Sequence, residues 1–156
     1  MKYRRVLVIG ERKSGKETIA DWLNDSVRKY YDNEPIYREK TIQVPSAYLE
    51  NSWMYRNIIT ISQDAACVLL VIDMDGEETR YSPGFARIFT RPVYGVVTHC
   101  SSEEKKQRAY EELKRIGICH MPLFLDPACA EEKEKLQNWY TEICQENLEV
   151  KNESRK

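Results

Sequence analysis

Val6-Leu7-Val8-Ile9-Gly10-Glu11-Arg12-Lys13-Ser14-Gly15-Lys16-Glu17-Thr18 sets an apolar run, a glycine-bounded loop and the start of a helical pattern in direct succession. Its centre has the G-x-x-x-x-G-K spacing of a phosphate-binding loop. In such a loop the glycines let backbone N–H groups curl around a β-phosphate. The lysine reaches the β- and γ-phosphates, and the helix N-terminus adds its positive dipole end. Gly10, Lys13, Ser14, Gly15, Lys16, Glu17 and Thr18 are therefore the candidate nucleotide-binding residues. The bare spacing arises by chance in roughly one chain in twenty or thirty of this length; a strand before it and a helix after it sharpen the signal. The position after the lysine normally carries a Ser or Thr whose hydroxyl ligates Mg²⁺. Here it is Glu17, with Thr18 one place late, and one residue is about 100° around a helix, so Thr18 does not simply substitute.

The 156 residues make one domain, expected over 1–146, followed by a polar, loose tail over 147–156. With 24 basic against 25 acidic residues the chain has no large field for nucleic acid or an anionic membrane. The longest apolar run, Ala65 to Ile72, is too short to span a bilayer, and Met1 to Arg5 lead straight into a strand pattern rather than a secretion signal. A cytoplasmic protein is expected. Five scattered cysteines without a C-x-x-C pair fit reduced thiols. His99 beside Cys100 and His120 beside Cys119 hint at a metal site, but they fall at opposite ends of neighbouring strands, about 16 Å apart.

Outward from the loop, Tyr3 to Ile9 reads as a buried strand. A helix from Lys16 to about Tyr30 carries Ile19, Ala20, Leu23, Val27 and Tyr30 on one stripe. Ile36 to Val44 reads as an edge or hairpin strand, or as two short strands run together. Asn51 to about Ser62 brings Trp53, Met54, Asn57, Ile58 and Ile61 to one side of a helix. Ala65 to Asp73 is apolar on both faces and hence central in a parallel sheet. Ser82 to Phe89 is a short helix entered through Pro83, and Pro92 to Thr98 another buried strand. Ser101-x-x-Glu104 has the form of a capping box opening a helix that Gly117 stops. Cys119 to Leu125 is the last strand, and Ala130 to about Gln145 the last helix, burying Leu136, Trp139, Tyr140 and Ile143. Strands alternating with helices predict a doubly wound α/β fold, with a mostly parallel sheet and helices on both faces. Ligands bind outside the carboxyl ends of such strands, where the glycine loop lies.

Three segments resemble the EutP/PduV family of ethanolamine and propanediol utilisation, P-loop GTPase-like proteins associated with bacterial microcompartments. They are the loop Gly10 to Thr18; Pro45-Ser46-Ala47-Tyr48-Leu49-Glu50-Asn51, similar to T-P-G-E-Y-L-E-N; and Pro83-Gly84-Phe85-Ala86 followed by Arg91 to Thr98. The resemblance implies a small-GTPase-like P-loop fold. It also shows departures where the chemistry should be. Gln43-Val44-Pro45-Ser46 stands in place of D-T-P-G, so the aspartate that would hold Mg²⁺ is an amide and the glycine facing the γ-phosphate is Ser46. Thr98-His99-Cys100-Ser101 stands in place of the guanine-reading T-K-x-D, and Asp126-Pro127-Ala128 in place of a later S-A motif.

Glu17 is a hard oxygen ligand that could take Mg²⁺ directly, though its charge also faces the phosphate. Asp73, at the carboxyl end of the strand next to the first, is a second candidate metal carboxylate; its plainer reading is a turn or cap residue before Met74-Asp75-Gly76. The resemblance implies an accessory or interaction protein of a microcompartment, with shell or enzyme proteins as partners and nucleotide binding weakened or lost. The alternative is a working Mg²⁺-dependent NTPase using ATP or GTP. A phosphate site for some other phosphorylated metabolite ranks last, because no general acid or base is recognisable.

Overall fold

The computed structural model describes residues 5–29, 33–75, 79 and 81–154, with side chains as far as Cys144. The six-stranded sheet has the order β2-β3-β1-β4-β5-β6. Its strands are β1 (Val6–Ile9), β2 (Ile36–Tyr37), β3 (Thr41–Gln43), β4 (Cys67–Asp73), β5 (Val93–Thr98) and β6 (Leu123–Phe124). Only the β2–β3 pair is antiparallel; β3, β1, β4, β5 and β6 run parallel. The mostly parallel α/β sheet expected from the sequence is thus the observed one, and Ile36 to Val44 is two strands rather than one.

The helices are α1 (Lys16–Asn24), α2 (Ala47–Glu50), α3 (Tyr55–Ser62), α4 (Glu103–Ile116) and α5 (Lys133–Ser154). β4 shows why a continuous apolar run belongs at the sheet centre. Alternate side chains point to opposite faces, so Val68, Leu70 and Ile72 pack with Ile58 of α3 and Ala109, Leu113 and Ile116 of α4. Cys67, Leu69 and Val71 pack on the other face with Ile19 and Leu23 of α1 and Leu136 and Ile143 of α5. Each fully buried aliphatic side chain contributes roughly 1.5–3 kcal/mol against exposure, and no β4 residue before Asp73 meets water.

Several boundaries differ from the sequence reading. α1 stops at Asn24, where Asp25 turns left-handed (φ 52°) and returns its N–H to the helix. The Asn24 side chain bonds Ala20 O, Thr41 Oγ1 and Lys40 N, each at 2.8 Å, tying the helix end to β3. Side chains that compete for backbone groups in this way end helices. Val27 consequently lies 91% exposed instead of on the core stripe, and Tyr3 and Tyr30 lie outside the described residues. The helix expected from Asn51 is split into a 3₁₀ turn, Ser52–Met54, and α3. The tighter 3₁₀ winding shifts the phase of the stripe, leaving Trp53 74% exposed while Ile58 is buried. The segment expected as a helix over Ser82 to Phe89 is a 3₁₀ turn, Phe85–Ile88.

α4 is capped by Ser102, whose Oγ accepts from Lys105 N, so the Ser101–Glu104 capping box does not form; Gly117 stops the helix as expected, at φ 96°. β6 is far shorter than Cys119 to Leu125; Pro122, immediately before it, has no N–H to give a ladder. At the other end, α5 continues past Gln145 to Ser154, through much of the segment read as a loose tail. No glycine or proline interrupts that stretch. Among the described residues no helix is long and apolar enough to cross a membrane.

Candidate functional site

β1 delivers the chain to the carboxyl edge of the sheet, where the loop turns back into α1. Gly10 is obligatory at the turn: a Cβ there would lie 2.6 Å from Ser14 Oγ and 3.1 Å from Lys16 Cβ. Lys13 (φ 65°) and Gly15 (φ 100°) both adopt left-handed backbone, the conformation that lets successive N–H groups face one concavity. Gly15 caps α1 with no side-chain hydrogen bond, so the first N–H groups of the helix are left for a ligand. Lys16 is 1% exposed and Ser14 is fully buried. Ser14 Oγ has no hydrogen-bond partner among the described residues. The loop is fastened from the carboxyl end of β5, two strands away from β1, by Thr98 Oγ1, which donates to Ser14 O at 2.8 Å. Beneath it the buried Tyr81 hydroxyl reaches Val71 O at 2.8 Å and Ile9 O at 3.2 Å. Burial, and then the Glu11 carboxylate, push the Tyr81 pKa well up, so this strut stays neutral.

Around the loop both signs of charge are present, Glu11, Glu17 and Glu50 standing beside Arg12, Lys13 and Lys16. Glu17 occupies the first turn of α1, half-buried. Gln43, at the end of β3, is buried, and its Oε1 has no hydrogen-bond partner among the described residues. Ser46 sits at φ −59°, ordinary helical backbone, so a serine costs nothing there and α2 begins at once. Glu11, Arg12, Ser46, Leu49 and Glu50 line a cavity of about 380 Å³ beside the loop, two of the five being carboxylates. Asp73 is not brought to Glu17: its Oδ1 accepts from Asp75 N at 2.9 Å and pairs with His99 Nδ1 at 2.7 Å, the turn role. Among the described residues no group of three or more His, Cys, Asp or Glu side chains is placed to hold a metal ion. The loop offers N–H groups to a phosphate, and the carboxylate of Glu17 beside it is the oxygen ligand nearest in sequence to Lys16.

A second cavity, about 400 Å³, opens between the β5–α4 and β6–α5 connections and is lined by Asp75, His99, Ser101, Lys105, Phe124 and Asp126 among others. It adjoins the phosphate loop, since a Cβ on Gly15 would come within 2.8 Å of Pro127 Cγ. His99 is left-handed (φ 56°), a strained state for a residue with a Cβ. Burial raises the Cys100 thiol above its usual value, against the pull of Lys105 and Lys106, so it is no ready nucleophile.

Comparison with known proteins follows this geometry. The model of the PduV-EutP family, described as ethanolamine utilisation and propanediol utilisation, matches residues 3–141. The chain belongs to the PduV-EutP family. It is 30% identical over 96 residues to the propanediol utilization protein PduV of Citrobacter freundii, covering 61% of this chain and 64% of that relative, a little under two thirds of its length. In fold it is similar to a probable GTP-binding protein engB, with a TM-score of 0.66 at 15% identity over 91% of this chain and 99% of that one. It is also similar to the G domain of the T. maritima FeoB iron transporter, with a TM-score of 0.55 at 19% identity over 90% and 98%. These likenesses establish a P-loop GTPase fold.

Within this PduV-EutP chain the structure assembles Gly10, Ser14, Gly15 and Lys16 into one concavity and leaves Arg12 and Lys13 exposed on its rim. Thr18, half-buried on α1, follows Glu17 and not Lys16. The two histidines separate as expected: His99 follows β5, while His120 stacks on Tyr94 near the start of that strand, 4.4 Å between ring centroids. Sequence reasoning marked Asp126-Pro127-Ala128 only as an altered motif and missed Tyr81 altogether; both act through contacts more than 60 residues away in sequence, which no local pattern shows.

Proposed function

We propose that this PduV-EutP chain is an accessory protein of a bacterial microcompartment of the ethanolamine or propanediol utilisation type. On this reading its loop, Gly10 to Thr18, takes the phosphates of a nucleotide weakly and without efficient hydrolysis. The supporting observation is a contrast in what is kept. The left-handed Lys13 and Gly15, the buried Lys16 and the Thr98–Ser14 tether suit a phosphate, while Glu17, Gln43 and Ser46 replace the residues that the family resemblance assigns to a metal and a γ-phosphate. When bound, a metal would supply charge neutralisation between the phosphates. Here that task falls to Lys16 and the loop N–H groups, against the nearby carboxylates of Glu11 and Glu17. Family membership supports the pathway, and shell or enzyme proteins are the partners expected.

The test is calorimetric titration of nucleotide-stripped protein with ATP and GTP, with and without Mg²⁺, beside Lys16→Ala. Binding near the millimolar range, about −4 kcal/mol, abolished by the substitution and little changed by Mg²⁺, is expected. In cells, Lys16→Ala should still restore compartment function to a deletion strain. Micromolar, Mg²⁺-dependent binding with turnover would replace this reading by an active NTPase.

A further inference from the structure

Among the described residues, three that are not glycine hold left-handed backbone: Lys13 (φ 65°), Asp25 (φ 52°) and His99 (φ 56°). Aspartate, histidine and asparagine are the types enriched in this region, and lysine is not one of them. Two of the three are also tied in place by their side chains, Asp25 by Lys133 and His99 by Asp73. Lys13 is exposed, and among the described residues its ammonium has neither a hydrogen bond nor an ion pair. Glycine or asparagine would follow the same path at less cost, so nothing in the empty loop accounts for a lysine here. It stands three residues before the buried Lys16, in the stretch whose N–H groups face the concavity. Its neighbour Arg12 differs, being engaged within the protein and lining the cavity with Glu11 and Glu50.

Strained backbone of this kind persists where a side chain must be aimed. We propose that Lys13 is a second phosphate-binding lysine of the loop. Its ammonium, on a flexible four-carbon stem, closes over a polyphosphate held by Lys16 and the loop N–H groups and offsets phosphate charge there. The ligand class is a metal-free polyphosphate, free or esterified, because the contact is to phosphate oxygens alone. The proposal rests on the phosphate-site reading above. The backbone cost falls on the empty protein, so stability and phosphate affinity oppose each other at this one position. Lys13 is a binding residue, with no part in bond breaking.

The test measures two quantities on the full chain and its variants. One is the melting temperature without ligand. The other is the metal-free affinity for tripolyphosphate and for ATP, read from the loop amide shifts of ¹⁵N-labelled protein. Lys13→Asn keeps the left-handed path and removes the charge. It should melt about 2 °C higher than the parent and bind both ligands about five- to tenfold more weakly. Lys13→Arg, which keeps the charge, and Arg12→Gln, which removes the neighbouring one, should each bind both ligands within about twofold of the parent. Unchanged affinity in Lys13→Asn, or an equal loss in Arg12→Gln, overturns the proposal while the phosphate site stands, since the lysine is then part of a solvated rim or a diffuse field. A loss confined to ATP overturns the contact with phosphate. A lower melting temperature in Lys13→Asn shows that the lysine serves the empty fold and overturns it too. If neither ligand shifts the loop amides of the parent, the phosphate-site reading fails and this one falls with it.

Discussion

At the scale of single residues, the site is a loop whose backbone is kept and whose charges are altered. Glu17 is the sharpest case. It follows the lysine directly and brings a negative charge to the first turn of a helix that otherwise favours anions. A carboxylate beside phosphate at effective dielectric values near 20 costs on the order of 1 kcal/mol or more, so Glu17→Thr should tighten triphosphate binding about five- to tenfold by calorimetry. An unchanged affinity would mean that Glu17 does not weaken the hold of the loop on phosphate. Gln43 differs in kind, being buried with an acceptor left over, so it removes a charge without adding repulsion. Gly10 and Gly15 approach Ser14 and Pro127 so closely that a Cβ at either would force those neighbours to shift. Both glycines thus serve the packing of the loop as well as its backbone path.

At the scale of elements, helix ends decide where the site's walls stand. α4 begins at Glu103 because Ser102 Oγ takes the Lys105 N–H, and this sets how far Lys105 reaches over the second cavity. Ser102→Ala should cost about 1 kcal/mol in urea unfolding, as lost N-caps do, while Ser101→Ala should stay within about 0.5 kcal/mol; equal losses would restore the capping box. The rest of α4 secures the segment before β5. Arg115 donates to Tyr81 O at 2.7 Å, to Thr79 Oγ1 at 2.9 Å and to Glu112 Oε2 at 2.7 Å. That holds in place the chain whose Tyr81 hydroxyl props the base of the phosphate loop.

Across the whole molecule, this clamp makes stability depend on pH. The hydrogen bonds from Arg115 hold the Glu112 carboxyl below its ordinary value of 4.5, with burial opposing and Thr79 adding to the pull. A carboxyl whose folded pKa is depressed stabilises the protein above its unfolded pKa and loses that contribution as pH falls through the folded value. Glu112→Gln should therefore lower stability by about 1–2 kcal/mol near neutrality and progressively less below about pH 4.5. A deficit that stays constant down to pH 3 would rule out the linkage. The two faces of the sheet share the remaining load, with α2, α3 and α4 on one and α1 and α5 on the other, so the carboxyl edge stays open for both cavities.

The sequence alone determined the parallel α/β architecture, because the unbroken apolar runs of β4 and β5 can be buried only between two helical layers. It also determined the phosphate loop, since the glycine spacing, the lysine and the helix start are local chemistry. The departures at Gln43, Ser46 and Thr98 to Ser101 were visible only through the resemblance to the family's motifs. What tertiary structure decided were the features set by contacts distant in sequence. Asn24 reaching β3 ends α1 early. His99 pairs with Asp73 across 26 residues of sequence. Pro127 lies on Gly15, and Tyr81 props the carbonyl of Ile9. Each depends on where two separate stretches of backbone meet, and periodicity along one stretch carries no information about the other.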